Sequence, residues 1–150
     1  MEKMKILLVD DEERFLQTTK KLLEKKGIDA MTATSGEAAL DMLDTSIVHV
    51  VILDVKMPGM DGIETLRLIK SRHPLVEVIM LTGHATVESA VDGLKSGATD
   101  YVMKPCDINA LMEKATEAFE KRRILEEKIN MASARTFMKS PRKILEETEK

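Results

Sequence analysis

The sequence predicts a doubly wound α/β fold, a parallel sheet with helices on both faces. Three observations carry this. Strand-like runs of four to six residues alternate with helix-like stretches five times, and right-handed crossovers turn such a pattern into a parallel sheet covered on both sides. Val50, Val51, Ile52 and Leu53 are apolar at consecutive rather than alternate positions, which suits a strand buried on both faces. Four runs also end at polar residues: 6–9 at Asp10 and Asp11, 50–53 at Asp54, 78–81 at Thr82, and 101–103 at Lys104. The carboxyl ends of such strands open onto one shared crevice.

Taken in order, the first strand, residues 6–9, is followed by a helix with Phe15, Leu16, Thr19, Leu22 and Leu23 on one stripe. Gly27 stands where a left-handed stop is wanted. A second strand covers 28–33, and Ser35 can cap a helix in which Ala38, Ala39, Met42 and Leu43 recur at helical spacing. His49 leads into the third strand. Asp61 with Glu64 three residues on resembles a capping box, and Ile63, Leu66 and Ile69 form the face of a third helix that ends before Pro74. After the fourth strand, Val87, Ala90, Val91 and Leu94 mark a helix stopped near Gly97. A short strand at Asp100–Met103 follows. Asp107 caps a fifth helix with the stripe Ile108, Leu111, Met112, Ala115 and Phe119, and helical composition continues through Leu125 and Ile129. Beyond Met131 the pattern dissolves into small and charged residues, and Ser140-Pro141 breaks any helix there.

The 150 residues suit one core, burying roughly two thirds of the surface exposed by the unfolded chain. A single cysteine, Cys106, excludes an internal disulfide. No early segment resembles a signal peptide, and no run approaches the ~18–20 apolar residues that span a bilayer, so a cytoplasmic protein without membrane contact is expected. Residues 121–150 hold nine Lys or Arg against five Glu, whereas residues 1–120 are net −7. The basic stretch lacks Tyr and Trp for stacking and mixes its cations with glutamates, which reads as a solvated tail rather than a nucleic-acid contact.

At the crevice, three carboxylates beside one ammonium and one hydroxyl make a site for a divalent cation and a phosphoryl group, and one carboxylate is placed to attack phosphorus. Taken alone, Asp54 could be a capping carboxylate. Glu12 and Glu13 read as the acidic first turn of the helix. His49 and His73 lie away from the strand ends and read as structural. With Cys106 they make no metal-site spacing. The eleven Met residues read mostly as core filler.

The pair Asp10-Asp11, the stretch from Asp54 through Val55, Lys56, Met57, Pro58, Gly59, Met60 and Asp61 to Gly62, Thr82, and Lys104-Pro105 occur in order at these strand ends. Through them the chain resembles the receiver domain of two-component response regulators over about residues 4–122. Thr82-Gly83-His84-Ala85-Thr86 and Met103-Lys104-Pro105-Cys106 are most similar to receivers of the nitrogen-regulation type. The resemblance implies a five-stranded, flavodoxin-like sheet of order 2-1-3-4-5, for which a chemotaxis receiver is the stock example. It divides the chain into a receiver domain, 1–122, and an extension, 123–150, that continues the last helix and then becomes a flexible tail.

The same resemblance implies that Asp54 takes a phosphoryl group from a phosphohistidine on a sensor histidine kinase or phosphotransfer protein. Mg2+, or Mn2+ in its place, would be held by Asp11, Asp54 and the Lys56 carbonyl, with Asp10 acting through a water. Lys104 neutralises a phosphoryl oxygen and is turned into the crevice by a cis bond to Pro105. Thr82 and Tyr101 form a switch that changes the surface of the fourth helix, fifth strand and fifth helix for an unknown downstream protein. Lys56 and His84 would tune the phosphoryl lifetime. The chain would be a switch rather than an enzyme, catalysing its own phosphotransfer and slow autodephosphorylation. The extended last helix suggests a homodimer through Leu111, Ala115, Ala118, Arg122, Leu125 and Ile129. One alternative is a receiver fragment of a larger transcriptional regulator. A metal-dependent aspartyl phosphatase is another, although such enzymes carry a second Asp two residues after the nucleophile and the chain reads Asp10-Asp11-Glu12. A nucleotide-binding fold lacks its Gly-rich loop after the first strand.

Overall fold

The computed structural model describes residues 3–55, 57, 59–83 and 87–139. Ten elements alternate: β1 (Lys5–Val9), α1 (Glu13–Lys25), β2 (Asp29–Ala33), α2 (Gly36–Thr45), β3 (Val50–Leu53), α3 (Gly62–Arg72), β4 (Glu77–Thr82), α4 (Val87–Lys95), β5 (Asp100–Met103) and α5 (Ile108–Lys139). The strands pair in parallel in the order β2-β1-β3-β4-β5. β3 is therefore the central strand, flanked by β1 and β4, as expected.

Alternation along each strand sorts its side chains between two cores. Leu7, Val9, Val51, Leu53, Val78 and Met80 join Leu40, Leu43, Leu66 and Ile69 from α2 and α3. Ile6, Leu8, Val50, Ile52, Ile79 and Leu81 join Leu16, Leu23, Leu111 and Ala115 from α1 and α5. With both faces covered, an unbroken apolar run is the only pattern that fits β3.

Local signals set the helix ends. Ser35 Oγ accepts from the Ala38 N–H at 3.1 Å and Asp61 Oδ1 from the Glu64 N–H at 2.8 Å, each satisfying an amide that the helix start leaves free. Gly27 lies at φ +82° where α1 stops, the left-handed conformation only glycine adopts without strain. His49, 1% exposed, accepts the Lys5 N–H at Nδ1 over 3.0 Å and meets Phe119 edge-on at 4.9 Å. It is structural, as read. His73 bonds Asp44 at 2.9 Å and ties α3 to α2.

Three features depart from the sequence reading. Val91 and Leu94 of α4 are 41% and 50% exposed instead of forming a buried stripe. On the inner side of α4, Gly93 lies over Tyr101 and Met80, where an added Cβ would make ordinary contact 3.5 Å from the tyrosine ring. The ring fills the space beneath α4 and the bulkier apolar positions turn outward. Next, α5 does not dissolve after Met131 but runs to Lys139. No Gly or Pro interrupts it, and Arg122–Glu126, Arg123–Glu120 and Arg123–Glu127 pairs line its surface, each a modest helix stabiliser. Finally, the proposed dimer seam is split. Leu111, Ala115 and Ala118 are 3%, 0% and 1% exposed against the sheet, because small residues let α5 approach closely. Arg122 is turned back to donate to the Val48 carbonyl at 2.6 Å. Only Leu125 and Ile129 of that set stay exposed. The Ser140-Pro141 break falls outside the described residues. Among the described residues, no helix is long and apolar enough to cross a membrane.

Candidate functional site

Backbone pairing at the strand ends builds the site before any side chain is considered. The Asp10 N–H donates to the Ala33 carbonyl at 3.1 Å, the Asp54 N–H to Val9 at 2.9 Å, and the Lys104 N–H to Thr82 at 2.8 Å. Asp10, Asp54, Thr82 and Lys104 are thereby set along one edge, next to the β1–α1 turn that carries Asp11 and Glu12. Asp10, Asp54 and Thr82 are 2%, 7% and 0% exposed, while Asp11 and Glu12 face solvent. Polar groups held this deep at strand ends are costly unless they are partnered or functional.

Carboxylate oxygens of Asp10, Asp11 and Glu12 lie within 4.8 Å of one another. Asp54 is not in that group, and its place beside the cluster is fixed by the backbone bond to Val9. Glu12 departs from its first-turn reading: it stands at the N-cap position of α1 without a side-chain cap bond, and its N–H donates to Asp10 Oδ1 at 2.9 Å. Its carboxylate is thus left facing the crevice. The Lys104 ammonium donates to Asp10 Oδ2, lies 3.7 Å from Glu12 Oε1, and sits 4.1 Å from the centroid of the Phe15 ring. The bond between Lys104 and Pro105 is cis, as the resemblance implied.

Gly62 backs the end of β3. Its N–H donates to the Val55 carbonyl at 2.8 Å, and an added Cβ would lie 2.2 Å from the Asp54 carbonyl oxygen. Tyr101, half-buried on β5, exchanges a hydrogen bond with Ser89 of α4 at 3.1 Å. Lys56 and His84 lie outside the described residues.

Beside the cluster, a groove of about 450 Å³ opens between α1 and α5, lined by Phe15, Leu22, Leu81, Lys104, Cys106 and Ile108 among others. Burial, then the neighbouring Asp107 carboxylate, pushes the Cys106 thiol above its ordinary range. Four contributors were absent from the sequence reading: Glu12 as part of the cluster, Phe15 under the lysine, Gly62 as a spacer and Ser89 as the tyrosine's partner. Phe15 stands one helical turn after Asp11, a spacing that could have flagged it.

The family described as the response regulator receiver domain matches residues 6–116. The chain belongs to this family. Receivers of this kind are the phosphoryl-accepting switches of two-component response regulators. The chain is 37% identical over 116 residues to the DNA-binding transcriptional regulator NtrC of Klebsiella pneumoniae, covering 75% of this chain and 25% of that one. With ZraR of Escherichia coli K12 it shares 40% over 113 residues, 73% and 26% of the two chains. A crystallised receiver domain from Clostridium thermocellum superposes with a TM-score of 0.77 at 37% identity over 81% of this chain and 98% of that one. NtrX from Brucella abortus in complex with ADP gives 0.81 at 30% identity over 87% and 30%. These relatives support the nitrogen-regulation type expected from the residues after Thr82 and Lys104. The chain spans a quarter to under a third of the length of the curated relatives it matches.

Proposed function

We propose that Asp54 is the phosphoacceptor. The observation that carries this is the backbone ladder that sets Asp54, on the central strand, beside Asp10, Thr82 and Lys104. A carboxylate oxygen of Asp54 forms the new O–P bond as the P–N bond to a donor histidine breaks, and the electron pair leaves on the imidazole nitrogen, which takes up a proton. Lys104 neutralises a phosphoryl oxygen, and the Thr82 hydroxyl donates to another. Loss of the Thr82 side chain from its buried position makes room for Tyr101, which must give up its bond to Ser89 to move. Added charge of roughly −1.5 to −2, by analogy with phosphoserine, is the bias on that element.

Three clustered carboxylates form the hard oxygen donor set that divalent cations prefer. Asp11, Asp54 and the Lys56 carbonyl would hold Mg2+, or Mn2+ in its place, with Asp10 acting through water. When bound, the ion supplies charge neutralisation for the carboxylates and the incoming phosphoryl oxygens. Lys56 and His84 tune the lifetime of the phosphoryl group.

Residues 1–122 form the receiver in this reading and 123–150 an extension. The donor is a sensor histidine kinase or phosphotransfer protein, and the output is a change in the α4, β5 and α5 surface read by a downstream protein, in the cytoplasm. With its acidic body the receiver makes no direct nucleic-acid contact, and DNA binding in a relative such as NtrC belongs to that longer protein. Apart from its own phosphotransfer and slow autodephosphorylation the chain turns over nothing. It signals either alone or as the receiver of a longer regulator, and sedimentation before and after phosphorylation reads whether it pairs.

Intact-mass spectrometry after incubation with acetyl phosphate, with and without Mg2+, tests the acceptor. One added phosphoryl group that needs Mg2+ and is absent from Asp54→Ala is the expected result. An adduct persisting in Asp54→Ala would move the acceptor elsewhere.

A further inference from the structure

Lys104 has a position of its own in this structure. Its ammonium reaches Asp10 at the end of β1 and Glu12 at the cap of α1, and lies over the face of Phe15. The side chain is 17% exposed and that of Asp10 only 2%, so water screens the pair weakly. An ammonium over an aromatic face is attracted by the ring's quadrupole, more strongly when desolvated. Phe15, on the first turn of α1, thus holds the ammonium on the acidic side of the crevice.

The same carboxylates belong to the cluster that offers oxygens to a divalent cation. A divalent cation bound beside these carboxylates and the Lys104 ammonium repel each other, so the two compete for the cluster. We infer that Phe15 is a positioning residue: by holding the Lys104 ammonium against Asp10 and Glu12, it sets how tightly a divalent cation binds beside them. The inference rests on the proposed reading of the crevice as a divalent-cation site. It adds a consequence for the order of events: metal entry frees the Lys104 ammonium to neutralise a phosphoryl oxygen. Phe15 also forms part of the wall of the groove between α1 and α5, so whatever occupies that groove touches the same latch.

Titration calorimetry of Mg2+ into the chelator-treated full chain tests this, together with NMR of chain carrying 13C at the lysine ε carbon. In the parent the Lys104 ε protons are expected upfield, under the Phe15 ring current, and to move to the ordinary lysine position as Mg2+ saturates. Phe15→Leu is expected to lose the upfield shift without metal and to bind Mg2+ about threefold to tenfold more tightly, the equivalent of one cation–π contact. Phe15→Tyr keeps the ring face and should bind as the parent does, and Lys104→Gln should gain at least as much as Phe15→Leu. A folded Phe15→Leu with the parent's Mg2+ affinity overturns the inference, as does a Lys104 signal that stays upfield at saturating Mg2+. A parent that binds no Mg2+ overturns both this inference and the divalent-cation reading. A parent that binds Mg2+ and shows the latch, yet takes no phosphoryl group from acetyl phosphate, refutes the acceptor assignment alone.

Discussion

Gly62→Ala is expected to damage both stability and phosphoryl acceptance, through contacts with backbone alone. An ideal Cβ at this position lies 2.2 Å from the Asp54 carbonyl oxygen, 2.6 Å from Val55 Cα and 2.8 Å from the Val55 carbonyl oxygen. None of these atoms can swing aside. Ordinary contact begins near 3.4 Å, so the first turn of α3 must withdraw from the end of β3 by about 1.2 Å. Overpacking of this kind costs about 1–3 kcal/mol. Stretching the 2.8 Å bond from the Gly62 N–H to Val55 adds about 0.5–1.5 kcal/mol, and the better helix propensity of Ala returns about 0.5 kcal/mol. The net loss is about 1–4 kcal/mol. With a urea slope of about 2 kcal/mol/M, the middle of the usual range, the unfolding midpoint should fall by about 0.5–2 M. Because the displaced carbonyl belongs to Asp54 itself, phosphorylation by acetyl phosphate should slow as well, and misplacement of a reacting group by about 1 Å can cost roughly 100-fold. Gly83→Ala is the control, since a Cβ there meets only the Lys104 Cβ at 3.9 Å. A Gly62→Ala protein within about 0.5 kcal/mol of the parent, a change typical of neutral surface sites, would refute the steric reasoning.

Three further outcomes follow from named contacts. His49→Ala removes a buried acceptor for the Lys5 N–H and the edge contact with Phe119, and should cost about 2–4 kcal/mol in urea denaturation. Asp61→Ala removes the cap of α3 and should cost about 1 kcal/mol, with Asp61→Asn close to the parent. Burial holds the Cys106 thiol above its ordinary range, so the pH profile of alkylation by iodoacetamide should be displaced to higher pH in the folded protein than in the protein unfolded in urea. The sign for stability follows: the neutral thiol is the form the fold favours, so this contribution is fully present below the unfolded thiol's range and is lost as pH rises through the folded one.

Much of the fold was legible because each strand and helix carries its own local signal. Consecutive apolar residues at 50–53 suit a doubly covered strand, and Ser35 and Asp61 mark helix starts by chemistry that acts within three residues. What escaped depended on partners distant in sequence. The outward turn of Val91 and Leu94 goes with Gly93 lying over the Tyr101 ring, a pairing no helical periodicity encodes. The residues at the strand ends, Asp10, Asp54, Thr82 and Lys104, were legible as a group because a parallel sheet must bring its carboxyl ends together. Where the Lys104 ammonium points was not, because that depends on Glu12 leaving the helix to become its cap and on Phe15 lying beneath.

The uninterrupted α5 gives the molecule a long mechanical arm. Its last fully buried residue, Ala118, and its described end, Lys139, are 21 positions apart on one helix, which at 1.5 Å per residue is about 32 Å. A tilt of about 5° at the seat of the helix, too small to break any contact in the core, would carry the far end through about 3 Å. Arg122 clamps the fulcrum to the Val48 carbonyl, and the ion pairs of Arg122 and Arg123 stiffen the shaft just past it. A displacement too slight to notice beside β5 thus arrives at the far end large enough to separate two touching side chains.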